Sequence, residues 1–418
     1  MTTRKGIATL VGAVLLAVAA AAPVSTSAAA DQAASDVREV LFVGNNWDGT
    51  VTVVSPRPGF GKLGRINVIP DIDQRMQEIY TDPVRLGYYL GIRALVGEGN
   101  DQYVDDMYTT RNGRLLVVSR PSLADVVGIR ISTGKLVWRF QVDGQRADHM
   151  AISPDGSRVA VSASTGNVVH ILDIRTGQEV GRFSSGDSPH ENVYSRDGER
   201  IFHASIGLVY TPADRPALDS TKGERYFQIV DADTNKVLRR IDMGRKLDQA
   251  GYPDMSSAVR PMTFSPNERF VYFQVSFFHG FVEYDLRRHR VRRVVPLPIA
   301  DHVEDMPREQ YLLDSAHHGI AMNPQGTRLC VAGTMSDYAT IVSRRSLRHA
   351  RLVRGGEKPY WATPSRDGRY CFVSWSGTDA ISAISYETGR QVARVRVGDH
   401  PQRMRLGFVR RSWLQGGR

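Results

Sequence analysis

One phrase recurs along the chain at spacings of roughly 40 to 60 residues, and it constrains the fold more than any other feature. Its clearest copy opens with Asp148-His149-Met150-Ala151-Ile152-Ser153-Pro154-Asp155-Gly156 and continues through Arg158-Val159-Ala160-Val161-Ser162. It then runs from Val168 to Asp173 and closes with Thr176-Gly177 ahead of Glu179-Val180-Gly181-Arg182-Phe183. This is four short β runs separated by turn chemistry, with Asp-Gly and Thr-Gly marking two of the hairpins. One such four-stranded sheet cannot cover both of its faces, so the copies must stack on one another.

Further copies open near Asp105, Pro189, Arg260, His318 and Tyr360, which makes six complete units. A seventh is split between the ends of the chain: Pro401 to Phe408 reads as an innermost strand with no blade after it. The run from Val40 to Val54, followed by Gly64 to Ile69, reads as three outer strands with no innermost strand before them. Joining the two ends closes a ring and removes the free sheet edges. The fold class that follows is all-β, a seven-bladed β-propeller of four-stranded antiparallel blades, closed by N- and C-terminal strands in one shared blade.

Residues 1–30 read as an export signal: Arg4 and Lys5 precede an apolar stretch from Ile7 to Val24, and Ala28-Ala29-Ala30 offers a cleavage site. The competing reading is a membrane anchor, but no basic stop-transfer flank follows. The expected product is secreted by the general route, with no stable membrane insertion after cleavage. Residues 31–37 form a flexible start, 38–409 the propeller and 410–418 a disordered basic tail. The formal charge of +10 could attract an anionic partner. The main basic run, Arg287 to Arg293, falls on an outer hairpin where charge blunts an edge, and no nucleic-acid module accompanies it. Nucleic acid is therefore not expected as a partner, and the protein is read as a monomer. Cys330 and Cys371 lie on second strands of neighbouring blades, at opposite parity from the turn residues Gly326 and Gly368. They face toward or away from each other, giving a disulfide, which export permits, or two buried thiols.

Four insertions, 70–100, 207–225, 246–258 and 299–314, all fall where connections emerge on one face of a propeller, which marks it as the working face. The first carries Ile72, Met76, Ile79 and Tyr80, then Leu86, Tyr89, Leu90 and Ala94, at helical spacing. Two short helices over the channel rim are expected, as a cap or as a lid. The innermost strands begin on that face. Their first residues form one ring, Gln402, Asp105, Asp148, His190, Arg260, His318 and Tyr360. The next residues form a second, Arg403, Asp106, His149, Glu191, Pro261, Gly319 and Trp361.

Such groups must pair, hydrate or hold a ligand when buried. His149, His190, Glu191 and His318 are candidate ligands of a divalent metal ion, and His190, His318 and His149 candidate catalytic groups. Alternatively Arg260 and Arg403 clamp an anionic ligand beside Tyr360 and Trp361, with Asp105, Asp106, Asp148 and Gln402 around them and Trp47 at the rim. A third reading is a salt-bridged, water-filled channel. Glycine-rich nucleotide loops, a nucleophile elbow, haem-attachment and zincin motifs are all missing from the sequence.

The blade openings Gly186-Asp187-Ser188-Pro189-His190, Gly356-Glu357-Lys358-Pro359-Tyr360 and Gly398-Asp399-His400-Pro401-Gln402, with the Ser153-to-Gly156 turn, resemble the YVTN-type bacterial β-propellers. Their superfamily includes quinoprotein amine dehydrogenase heavy chains and haem d1 domains. The resemblance implies the fold and leaves function open between classes. The expected function is binding of a small polar or anionic ligand, or of a protein, at the channel mouth. The alternatives are a metal-assisted lyase, hydrolase or oxidoreductase using channel histidines, and a heavy subunit of a periplasmic-type dehydrogenase that docks a redox subunit.

Overall fold

The computed structural model describes residues 1–2, 36–209, 216–311, 313 and 315–416, so the signal segment lies outside the described residues apart from its first two. Seven four-stranded antiparallel sheets form the ring. The innermost strands of blades one to seven are Pro401–Arg410, Met107–Thr109, Ala147–Ile152, Pro189–Tyr194, Val259–Phe264, Ile320–Met322 and Pro359–Pro364. Blade one is the shared blade: Pro401–Arg410 pairs with Val37–Asn45, placing Leu41 opposite Leu406 and Val43 opposite Met404.

The repeated phrase has a local cause. In the turn after four of the inner strands a serine hydroxyl accepts the backbone N–H five residues on, as Ser153 does from Arg158, Ser195 from Arg200, Ser265 from Phe270 and Ser365 from Tyr370; Thr110 and Asn323 take that place in blades two and six. The glycine of the turn takes a left-handed φ, +72° at Gly156 and +71° at Gly368, where a side chain would be strained. Blade five has Glu268 at that position and tolerates φ +52°.

Second strands are buried beyond their first residues, and Leu115–Arg120 is buried along its whole length, whereas the outermost Lys135–Gln141 alternates between exposed and half-buried. The core therefore lies between blades: Phe42 and Val53 of blade one pack with Leu116, Val118 and Val127 of blade two. The basic run lies at the turn into and along the outermost strand of blade five, Arg290–Pro296. Cys330 and Cys371 form a disulfide between the second strands of blades six and seven, with Cα atoms 6.4 Å apart.

The tail departs from expectation. Residue 410 completes the closing strand, and Arg411–Gly416 forms a helical turn rather than a disordered end. Trp413 and Leu414 pack on the blade-one core, the indole filling the space above Gly64, and Arg410 pairs with Asp36 at 2.7 Å. Packing the half-buried indole against that core contributes to ordering so short a segment.

Candidate functional site

Two helices rise from the first insertion, α1 (Ile72–Thr81) and α2 (Pro83–Leu95). Pro83 at the first helical position and the Asp82 carboxylate, which accepts from the N–H groups of Val84 and Arg85, start α2. Ile79 and Tyr89 seat the pair on Leu123 of blade two.

Buried arginines fix the foot of this unit. Arg120 is fully buried and binds both Asp125 and Asp71 through paired hydrogen bonds, and Arg75 donates to the Leu123 carbonyl at 2.8 Å. Arg85 donates to the carbonyls of Gln145 and Ser122 at 2.7 and 2.6 Å. Beyond the far end of α2, Glu98 pairs with Lys358, ahead of the blade-seven inner strand, and lies 3.7 Å from His400. The helix thus begins beside blades two and three and ends beside blades six and seven, crossing the mouth. Thirteen residues at about 1.5 Å each reach roughly 20 Å, enough for that crossing.

Beneath α2 lies a cavity of about 500 Å³. Its roof is the stripe Val84, Gly87, Tyr88, Gly91 and Leu95, and its floor includes Arg146, Asp148 and Ser164. A second cavity of about 440 Å³, lined by Glu191, Trp361 and Arg405, opens on the opposite side of the two rings. The rings therefore partition the channel.

Three imidazoles from blades three, four and six converge within that partition. The rings of His149 and His190 are 3.7 Å apart between centroids, and His318 lies 6.0 Å from His149 and 5.7 Å from His190. Their ligand atoms all lie within 4.8 Å of one another, and Asp105, Asp148 and His149 form an overlapping set on the same criterion. Each imidazole is held at Nδ1: His149 shares a 2.6 Å hydrogen bond with Glu191, His190 donates to Asp148 at 3.4 Å, and His318 donates to the Tyr360 carbonyl at 3.4 Å. The Nε2 atoms of His190 and His318 are buried without a hydrogen-bond partner.

Burial sets the protonation of this cluster. It pushes His190 down to about 4 and holds His149 and His318 well below the ordinary imidazole value, so all three are neutral at pH 7. It pushes Glu191 up to about 8 against the opposing charges of Arg403 and Arg405, and Asp105 up to about 7 against Arg403. Burial acts upward on Asp148 too, but Arg146 and His190 overcome it and hold that carboxyl below its usual range.

The other ring residues divide by whether their polar atoms are already engaged. Asp106 takes paired hydrogen bonds from Arg405 at 2.8 and 2.7 Å and another from the Met150 N–H. Arg260 donates to Ser276 and to the Leu313 carbonyl. Arg403 donates to Asp105 at 2.6 Å and stacks over Trp361, while its Nε and Nη2 are buried without a hydrogen-bond partner. Tyr360 stacks on His318 at 4.2 Å, and Gln402 accepts from Asn46 at 3.0 Å. Trp47 lies flat on His400 at 3.7 Å, so one face is taken by the protein. Glu191 reaches the cluster through His149, with Oε2 2.6 Å from Nδ1.

Sequence reading missed Arg146, which bridges Asp148 and Gln102, and Ser164, which donates to Asp148 at 2.8 Å. Strand alternation could have found the first, since Arg146 precedes Asp148 by two residues on the same face.

Fold and site define a seven-bladed propeller whose channel mouth is roofed by its own insertion. No protein-family model matches the chain, and no curated protein matches it. Among solved structures it is similar to Kuenenia stuttgartiensis hydrazine synthase, with a TM-score of 0.56 and 17% identity over 86% of this chain and 92% of that one. At that identity the likeness concerns the fold alone.

Proposed function

We propose that the chain is an exported propeller of the YVTN type that holds one small amphiphilic molecule at its channel mouth. The ligand's apolar body lies under α2 and its polar end meets Arg146, Asp148 and Ser164. The observation that carries this reading is the cavity-facing stripe of α2. At Gly87 and Gly91 a Cβ would meet nothing within 4 Å, so two helical glycines leave open volume where alanine would favour the helix. Volume and mixed lining are those of small-molecule sites. Export is supported by the basic and apolar N-terminal sequence and by the inter-blade disulfide.

The test uses 1-anilinonaphthalene-8-sulfonate, whose apolar rings and anionic end match the lining. Wild-type protein is expected to bind one equivalent with enhanced fluorescence. Gly91→Leu, which fills the roof, is expected to weaken binding on the order of tenfold or more while the melting temperature holds or rises. Equal affinity in the two proteins would remove the site.

A further inference from the structure

We infer that His149, His190 and His318 hold one divalent transition-metal ion in the partition between the two cavities. The three side chains come from three blades, so no local sequence constraint brings them together. Only the ring geometry does, and it places their ligand atoms within 4.8 Å of one another. A tetrahedral site with metal–nitrogen bonds of about 2.1 Å needs roughly 3.4 Å between nitrogens, a contraction that imidazole rotations supply.

The hydrogen bonds select the tautomer. His318 Nδ1–H is donated to the Tyr360 carbonyl and His190 Nδ1–H to Asp148, so both of those Nε2 atoms present their lone pairs, while Glu191 holds His149 at Nδ1. This is the arrangement in which an outer oxygen fixes the ring and raises the basicity of the ligating nitrogen. Those two lone pairs, on His190 and His318, are buried with no partner, which in a protein interior calls for an occupant. Asp105 and Asp148 form a second set with His149, and Oδ2 of the first and Oδ1 of the second have no hydrogen-bond partner, which leaves carboxylate oxygens beside one edge of the site. Three imidazoles favour zinc, copper, iron or nickel over calcium or magnesium, which take oxygen donors. Glu191 is then a positioning residue for His149.

The inference is independent of the amphiphile reading, because metal uptake needs no ligand under α2. Mature protein stripped with a chelator and titrated with Co²⁺ or Cu²⁺ is expected to take up one ion per chain. The Cu²⁺ form is expected to show nitrogen superhyperfine splitting from three imidazoles in its electron paramagnetic resonance spectrum. His190→Asn and His318→Gln should each lower affinity by about 100-fold or more, and Glu191→Gln by about 10- to 100-fold while keeping the three-nitrogen spectrum. His279→Gln, a buried imidazole outside the cluster, should leave uptake unchanged. A channel water is the competing occupant: uptake below about 0.1 ion per chain, or a spectrum without three nitrogens, would overturn the metal site. If the histidine variants fold poorly, the spectrum of the unaltered protein decides.

Discussion

Asp106 shows how one side chain sets the geometry of the rings. Its carboxylate belongs to blade two, takes both bonds of Arg405 from blade one and accepts the Met150 N–H of blade three, so it ties three blades beside the closing seam. A fully buried carboxylate in that position cannot be removed cheaply, because its partner guanidinium would be left charged inside the channel. Asp106→Ala is expected to lower unfolding free energy by about 3–5 kcal/mol in urea titration. The double variant Asp106→Leu/Arg405→Met, which removes both charges, should be less damaging than the single one. A single-variant loss under about 1 kcal/mol would mean that the pair carries no more than an exposed salt bridge.

Two glycines show the same argument at the scale of whole elements, with opposite signs. Gly319 sits where the inner strands of blades six and seven approach, and a Cβ there would meet the Trp361 Cα at 2.9 Å and the Ala362 nitrogen at 3.1 Å. These are backbone atoms and cannot swing aside. Gly319→Ala should cost about 1–3 kcal/mol and displace its neighbour His318, lowering Cu²⁺ affinity as well as the melting temperature. Gly91→Ala, on the open face of α2, should instead stabilise by up to about 1 kcal/mol. Thermal melts of the two variants shifting in the same direction would contradict this assignment. The comparison also shows what was legible in the sequence. Blades, closure and ring order could be read because turn chemistry is local: Ser153, Asp155 and Gly156 specify their hairpin wherever it lies. Helical spacing and Pro83 likewise exposed α1 and α2. Pairings across the ring could not be read, since the commitment of Asp106 to Arg405 depends on distances between blades, and those of Arg260 to Ser276 and of Trp47 to His400 depend on how loops fold back within a blade. The convergence of His149, His190 and His318 from non-adjacent blades could be named as a set but not measured. Nor did Trp413 announce that it would dock the tail, because one aromatic in a short basic segment has no periodicity.

The whole molecule carries an unusual load of buried imidazole, and this fixes how its stability must vary with pH. Away from the channel cluster, burial pushes His203 and His400 down to about 3 and His279 to about 4, each from an ordinary value of 6.5. Those folded-state groups stay neutral where the unfolded chain is protonated, so unfolding takes up protons below pH 6.5. Stability is therefore full above that pH and falls as pH drops from 6.5 toward the folded values. His203 is the cleanest case: it is fully buried, donates from Nδ1 to Asn192 and accepts the Ser185 hydroxyl at Nε2. At pH 5 it alone should contribute about 2 kcal/mol of destabilisation relative to pH 7. The slope of unfolding free energy against pH between 6 and 5 gives the number of protons taken up, and His203→Gln should reduce that number by about one. A wild-type stability that stays flat or rises between pH 6.5 and 5 would show that these imidazoles are hydrated, and that the seven blades do not pack as tightly around them as the structure requires.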